Sequence, residues 1–156
     1  MDPSIERVTG PTDEVRALIE ALDHALSGRY LPSQRHALSI EQLFQPDIRF
    51  FVARVDGVAA GCGGVAFDDG FAEVKRMFTR AEWRRAGVAR ALLRHLEAEA
   101  QSGGYSTLRL ETGCYQAAAM AFYEREGFLP CPAFGVYASL PLESVETSVF
   151  YEKAIT

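Results

Sequence analysis

No run of about 18 uninterrupted apolar residues occurs in this 156-residue chain, which argues against a membrane-spanning helix. Cysteine is scarce. Cys62, Cys114 and Cys131 are odd in number and far apart, and no two have CxxC spacing, so neither a zinc knuckle nor a disulfide framework is expected. No metal is implied. The opening Met1-Asp2-Pro3-Ser4 lacks the basic-then-apolar pattern of a secretory leader. A reducing, cytoplasmic setting is the expectation. A basic excess is missing too. Sixteen Lys and Arg face 21 Asp and Glu, a net charge of −5, which disfavours general nucleic-acid binding. There is no Walker lysine motif. Gly61, Gly63 and Gly64 superficially resemble a dinucleotide loop, but no helical pattern follows them.

What is present fits one soluble domain spanning residues 1–156. Hydrophobic residues make up 48% and charged residues 24%, ordinary values for a chain that closes a single core. Residues 5–9 read as a strand. Thr12 reads as the cap of a helix whose apolar positions Val15, Leu18, Ile19, Leu22 and Leu26 share one face, with Gly28 as its stop. Ser39 and Gln42 suggest a capping box for a short helix ending near Pro46. Residues 48–55, 58–67 and 71–79 read as three strands, separated by Asp56-Gly57 and Asp68-Asp69-Gly70. Asp-Gly tolerates the positive φ of tight hairpins, so an antiparallel meander is expected. The three glycines inside the middle strand suggest a bulge or close backbone packing. Simple alternation would put Glu73, Lys75, Met77 and Thr79 on one face, and Val74 and Arg76 on the other.

Gly87 opens a longer helix with Val88, Leu92, Leu96 and Ala100 along one face, stopped by Gly103-Gly104. Residues 108–111 form a short apolar strand, so a parallel crossover joins it to residues 71–79. A further helix covers residues 116–126, and a last strand runs over residues 145–154. The fold class is α/β (α+β), a mixed sheet that begins antiparallel and becomes parallel across one helix.

The charge is uneven. Residues 75–94 hold seven basic groups and one acid, a net +6. This is a local anion site or a solvated helix face on an otherwise acidic body. Arg84, Arg85, Ala86, Gly87, Val88, Ala89 and Arg90 straddle the junction of strand and helix. A helix start offers unpaired N–H groups and partial positive charge to a phosphate. Gly87 and Ala89 keep side-chain bulk away, and the arginines add charge-assisted bonds.

Arg84-x-x-Gly87-x-Ala89 resembles the pyrophosphate-binding signature of the GNAT superfamily of N-acetyltransferases. It follows the strand Val74-Lys75-Arg76-Met77-Phe78-Thr79 at that family's offset. Leu108-Arg109-Leu110-Glu111 is similar to the next family strand. Ala121-Phe122-Tyr123-Glu124-Arg125-Glu126-Gly127-Phe128 is similar to its second signature, and Ser148-Val149-Phe150-Tyr151-Glu152-Lys153 to its last strand. The resemblance spans about residues 48–154.

The resemblance implies acetyl-CoA as co-substrate, with pyrophosphate on residues 85–90 and the pantetheine arm along Met77, Phe78 and Thr79 as an added strand. It implies that Tyr123 protonates the leaving thiolate. Many members carry asparagine where Gln116 stands; glutamine keeps the amide on a longer stem. Glu73 occupies a position where some members carry a general base, and Glu111 is the alternative. A base is needed because an alkyl amine of pKa near 10.4 is only about one part in a thousand neutral at pH 7. His36 is in a loop that overlies the acceptor in this family; His24 and His95 are weaker candidates. The loops at residues 28–38 and 132–146, the latter with Phe134, Tyr137 and Leu140, are expected to select the acceptor. The resemblance implies acetyl transfer to a primary amine of a small molecule. A protein N-terminal or lysine acetyltransferase and a non-catalytic CoA sensor are the alternatives. Homodimers are frequent in the family.

Overall fold

The computed structural model describes residues 2–156, and within them seven strands form one sheet. In chain order the elements are β1 (Ser4–Val8), α1 (Asp13–Ser27), β2 (Ile48–Val55), β3 (Val58–Phe67), β4 (Ala72–Thr79), α2 (Val88–Ser102), β5 (Thr107–Gly113), α3 (Ala117–Arg125), β6 (Leu129–Pro130), α4 (Leu142–Val145) and β7 (Ser148–Ala154). The sheet order is β1-β2-β3-β4-β5-β7-β6. Strands β1 to β4 form the antiparallel meander, and β4 and β5 run parallel across α2. Strand β7 lies antiparallel between β5 and β6.

Local chemistry accounts for the boundaries. Asp56 and Gly57 both have positive φ, 51° and 79°, as a primed two-residue hairpin turn requires. Val15 N–H donates to Thr12 Oγ1 at 3.2 Å and satisfies one donor at the start of α1. Helix α2 seals Leu92, Leu93 and Leu96 against Phe51, Val65, Val74 and Leu108. Full burial of each leucine contributes about 1.5–3 kcal/mol. Helix α1 covers the other face, where Val15, Leu18 and Ile19 meet Phe50, Val52 and Cys62. A third cluster of Phe71, Phe134, Tyr137 and Phe150 pins the connection that precedes β7.

Three expectations are corrected. The Ser39–Gln42 box does form, with Ser39 N–H donating to Gln42 Oε1 at 2.8 Å and Gln42 N–H donating to Ser39 Oγ at 3.3 Å. It opens only the 3-10 turn Gln42–Phe44, because Pro46 follows at once and cannot extend a helix. The last strand begins at Ser148 rather than at residue 145, since Pro141, with φ −58°, starts the helical turn α4.

The third correction concerns the faces of β4. Cys62 pairs with Phe78 and Gly64 with Lys75, so Gly63 opposes both Arg76 and Met77. This is a β-bulge, with Arg76 at φ 53°. The extra residue reverses the alternation. Met77 packs beside Val74 on the α2 side, and Phe78 packs on the α1 side. Arg76 reaches Asp23 of α1 at 2.6 Å. The glycines of β3 permit the close approach: a Cβ at Gly61 would lie 2.6 Å from the Phe78 carbonyl oxygen, and one at Gly63 would lie 2.9 Å from Met77 Sδ.

Among the described residues, no helix is long and apolar enough to cross a membrane. Nor do three or more His, Cys, Asp or Glu side chains gather to hold a metal ion. Cys62 is fully buried, while Cys114 is only half-buried.

Candidate active site

Strands β4 and β5 pair through two residues only, Ala72 with Leu108 and Glu73 with Arg109. Beyond that point they part. Strand β4 stays with β3 as far as Thr79, and β5 stays with β7 as far as Gly113. A wedge-shaped gap opens between them. Along it the backbone of β4 beyond Glu73, including Met77, Phe78 and Thr79, has no strand partner on that side among the described residues. An unpaired edge accepts an extended molecule as an added strand.

Past this edge the chain turns through the exposed Arg84, Arg85, Ala86 and Gly87 into α2. Arg85 and Gly87 have φ of 67° and 79°. The first backbone bond closing α2 runs from Ala91 N–H to Gly87 O at 3.0 Å. The N–H groups of Val88, Ala89 and Arg90 therefore precede the first bonded donor and have no acceptor within the helix. A Cβ at Gly87 would meet nothing within 4 Å. The loop and helix start form an open concavity of backbone donors, the shape that holds a phosphate. The Val88 side chain is sealed in the core, so its offer to an anion is its N–H. Arg90 turns its guanidinium to Glu126 Oε2, at 3.1 and 3.0 Å, and clips α2 to the end of α3. Arg84 and Arg85 make no ion pair among the described residues.

Tyr123 projects from α3 to the inner end of the gap. Its ring packs edge-on to Phe122 and Phe128, with centroids 5.3 and 5.6 Å apart. Burial pushes its phenol well above the usual value. Its hydroxyl makes no hydrogen bond to any described residue, and the side chain borders the cleft. Gln116 also lines the cleft; it precedes α3 without capping it, so its amide is uncommitted.

Beyond Tyr123 the cleft deepens among charged groups. Glu73, only 6% exposed, sits on its floor. Glu73 Oε2 accepts from the Tyr137 hydroxyl at 2.7 Å and faces Lys75 Nζ at 2.9 Å. Lys75 Nζ also donates to the Tyr137 oxygen at 3.0 Å. Burial, reinforced by the Glu73 charge, holds the Tyr137 proton on oxygen. Glu111 stands on β5 and accepts from Ser148 Oγ at 2.6 Å. Burial raises its carboxyl above the usual range, against the opposing pull of the Ser148 bond. The loop at residues 28–38 roofs this end. Its His36 Nε2 lies 2.7 Å from the Ser144 carbonyl, joining that loop to α4.

Of the three residues expected to line the acceptor end, Tyr137 lines the cleft, Phe134 belongs to the neighbouring aromatic cluster, and Leu140 is exposed. His24 is exposed, and His95 packs edge-on to Phe51 at 4.5 Å, away from the cleft. Sequence reasoning missed Tyr30 and Arg35. Tyr30 lines the cleft, and its hydroxyl accepts Tyr115 N–H at 3.0 Å, tying the roof to the end of β5. A lone buried aromatic in an irregular polar stretch was the available signal. Arg76, counted with the anion-binding segment, turns instead to α1.

Residues 15–128 match the model of the Acetyltransferase (GNAT) family. The chain is 42% identical over 154 residues to the IAA acetyltransferase of Azospirillum brasilense, with 97% of each chain covered. It is 35% identical to YsnE, an uncharacterized N-acetyltransferase of Bacillus subtilis, covering 99% of this chain and all of that one. A Klebsiella pneumoniae structure described as an acyl-CoA N-acyltransferase superposes with a TM-score of 0.79 at 33% identity, covering 99% and 98% of the two chains. The PaiA N-acetyltransferase of Thermoplasma acidophilum, solved with coenzyme A, shares the fold with a TM-score of 0.71 at 21% identity, covering 97% and 99%. The chain belongs to the GNAT family of N-acetyltransferases. It is an acetyl-CoA-dependent acyltransferase, with acetyl-CoA as co-substrate.

Proposed function

We propose that this enzyme transfers the acetyl group to a primary amine of a small molecule, by direct attack of the amine on the thioester. The observation that carries the reading is the parting of β4 from β5 after two residue pairs, directly beside the uncommitted Tyr123 hydroxyl. Acetyl-CoA supplies the activated acetyl group. Backbone donors from Arg85 to Arg90 take its diphosphate, with Arg84 and Arg85 adding charge. The free edge at Met77, Phe78 and Thr79 and the Gln116 amide hold its arm. A backbone N–H near Met77 polarises the thioester carbonyl.

Tyr123 donates its proton to the thiolate as it leaves and regains one from the proton that the attacking nitrogen sheds on becoming an amide. The acceptor ammonium must first lose a proton. Glu73 takes it in the first reading, alone or through a water. Its carboxylate is already engaged by both Lys75 and Tyr137, which favours a second reading in which Glu111, with no ammonium or guanidinium partner, is the acceptor of that proton. No cysteine is acylated: burial pushes the Cys62 thiol up to about 12 and keeps it unreactive.

A small acceptor is supported by the His36–Ser144 bond, which joins the two loops at the acceptor end. Three unpaired cysteines support a reducing, cytoplasmic setting. The test is thiol release from acetyl-CoA with pooled small amines and with peptides bearing free N-termini or lysines. Turnover by the amines supports the reading. Turnover by peptides alone makes this a protein acetyltransferase, and CoA binding without turnover makes it a sensor.

A further inference from the structure

Three residues with fixed positive charge line the cleft among the described residues: Arg35, Lys75 and Arg76. Two are matched. Lys75 faces Glu73 at 2.9 Å and Arg76 faces Asp23 at 2.6 Å. The half-buried Arg35 guanidinium makes no hydrogen bond or ion pair to any described residue, although its backbone N–H is held by Pro32 O at 3.3 Å. The carboxylates divide in the same way. Glu73 is matched, whereas Glu111 has a hydroxyl partner and no cation. One unmatched cation and one unmatched carboxylate therefore face the same space.

Resting on the transferase reading above, we infer that the acceptor is an aminocarboxylate, with its amine directed to the Glu111 side of the cleft and its carboxylate bound by Arg35. A guanidinium matches a carboxylate in two parallel bonds, which fixes orientation as well as charge. The acid group then anchors the molecule at the roof. The amine points down toward the gap where the thioester carbonyl lies. A simple alkylamine fills the amine position but leaves the Arg35 charge half-buried and unanswered.

The experiment compares kcat/KM for matched acceptors that differ by one carboxylate, amino acids against their decarboxylated amines, using CoA thiol release with wild type, Arg35→Gln and Arg35→Lys. Bonds to a charged group predict about a 10- to 100-fold preference for the acids in the wild type. Arg35→Gln brings the ratio near one, through KM more than kcat, and Arg35→Lys restores part of it. CoA affinity by calorimetry checks that each variant is folded. Equal wild-type rates for both members of the pairs overturn the inference and leave the transferase reading standing, as does a preference that Arg35→Gln does not change. Failure of every small amine, with acetyl-CoA bound, overturns both.

Discussion

The Tyr137 hydroxyl donates to Glu73 Oε2 across 2.7 Å, joining residues 64 positions apart. Tyr137 lies in the connection before β7, and Glu73 sits at the last paired position of β4 before the gap opens. The bond ties the wall of the cleft to its floor. Tyr137→Phe keeps the ring in its aromatic cluster but leaves the buried carboxylate with Lys75 as its side-chain partner. The expected loss is about 1–3 kcal/mol, a fall in Tm of several degrees for a domain of this size, together with a raised acceptor KM. An unchanged Tm, read by calorimetry, removes the bond from the accounting of stability.

Gly87→Glu puts a carboxylate where the backbone donors converge. Nothing nearby obstructs the new Cβ, so the variant folds. At φ 79° a residue with a Cβ is strained by about 1–2 kcal/mol, which lowers Tm modestly. Acetyl-CoA binding is lost in titration calorimetry. Wild-type affinity in the folded variant would move the diphosphate away from the start of α2.

Tyr123→Phe keeps the packing against Phe122 and Phe128 and deletes the hydroxyl. Turnover falls about 10²-fold, the usual scale for a general acid, while CoA affinity stays close to wild type. Burial raises the phenol, so its ionisation brings no alkaline loss of wild-type activity near the ordinary pKa of about 10. Undiminished turnover in the variant across the pH range returns Tyr123 to a packing role.

The two carboxylates are separated by their pH profiles. Whichever of Glu73→Gln and Glu111→Gln removes the base depresses kcat/KM most near neutral pH, and the deficit shrinks as pH nears the amine's own pKa. Equal, pH-independent losses at both positions point to a water chain instead. For Glu111 there is also a stability signature. Its native pKa is raised by burial, so between the ordinary value of about 4.3 and the raised one the native state holds more proton than the unfolded chain. Wild-type stability then falls as pH rises through that window. Glu111→Gln removes this fall. Parallel wild-type and variant curves of Tm against pH count against a raised Glu111.

Much of the framework is local and was legible in the order of residues. Asp56-Gly57 marks a hairpin because both residues tolerate positive φ, Thr12 marks a helix start through one side-chain oxygen, and the spacing from Val88 to Ala100 places a buried stripe. The anion concavity was legible for the same reason, since a helix start with a glycine before it presents its own N–H groups whatever packs around it. The β4 bulge was not. An extra residue at Arg76 is a property of the pairing between β3 and β4, and it reversed the faces expected for Arg76 and Met77. The three glycines of β3 hinted at a close approach without saying which residue would be extruded. Nor can spacing show that Glu73 meets Lys75 and Tyr137, or that Arg35 meets no carboxylate. Whether a charge is matched depends on what tertiary packing brings within about 4 Å of it, from loops and strands far apart in the chain. The sequence by itself determined most of the elements, the family and the glycine-led start of α2, because these rest on local chemistry; only the folded structure decided which charges in the cleft are matched by one another and which are not.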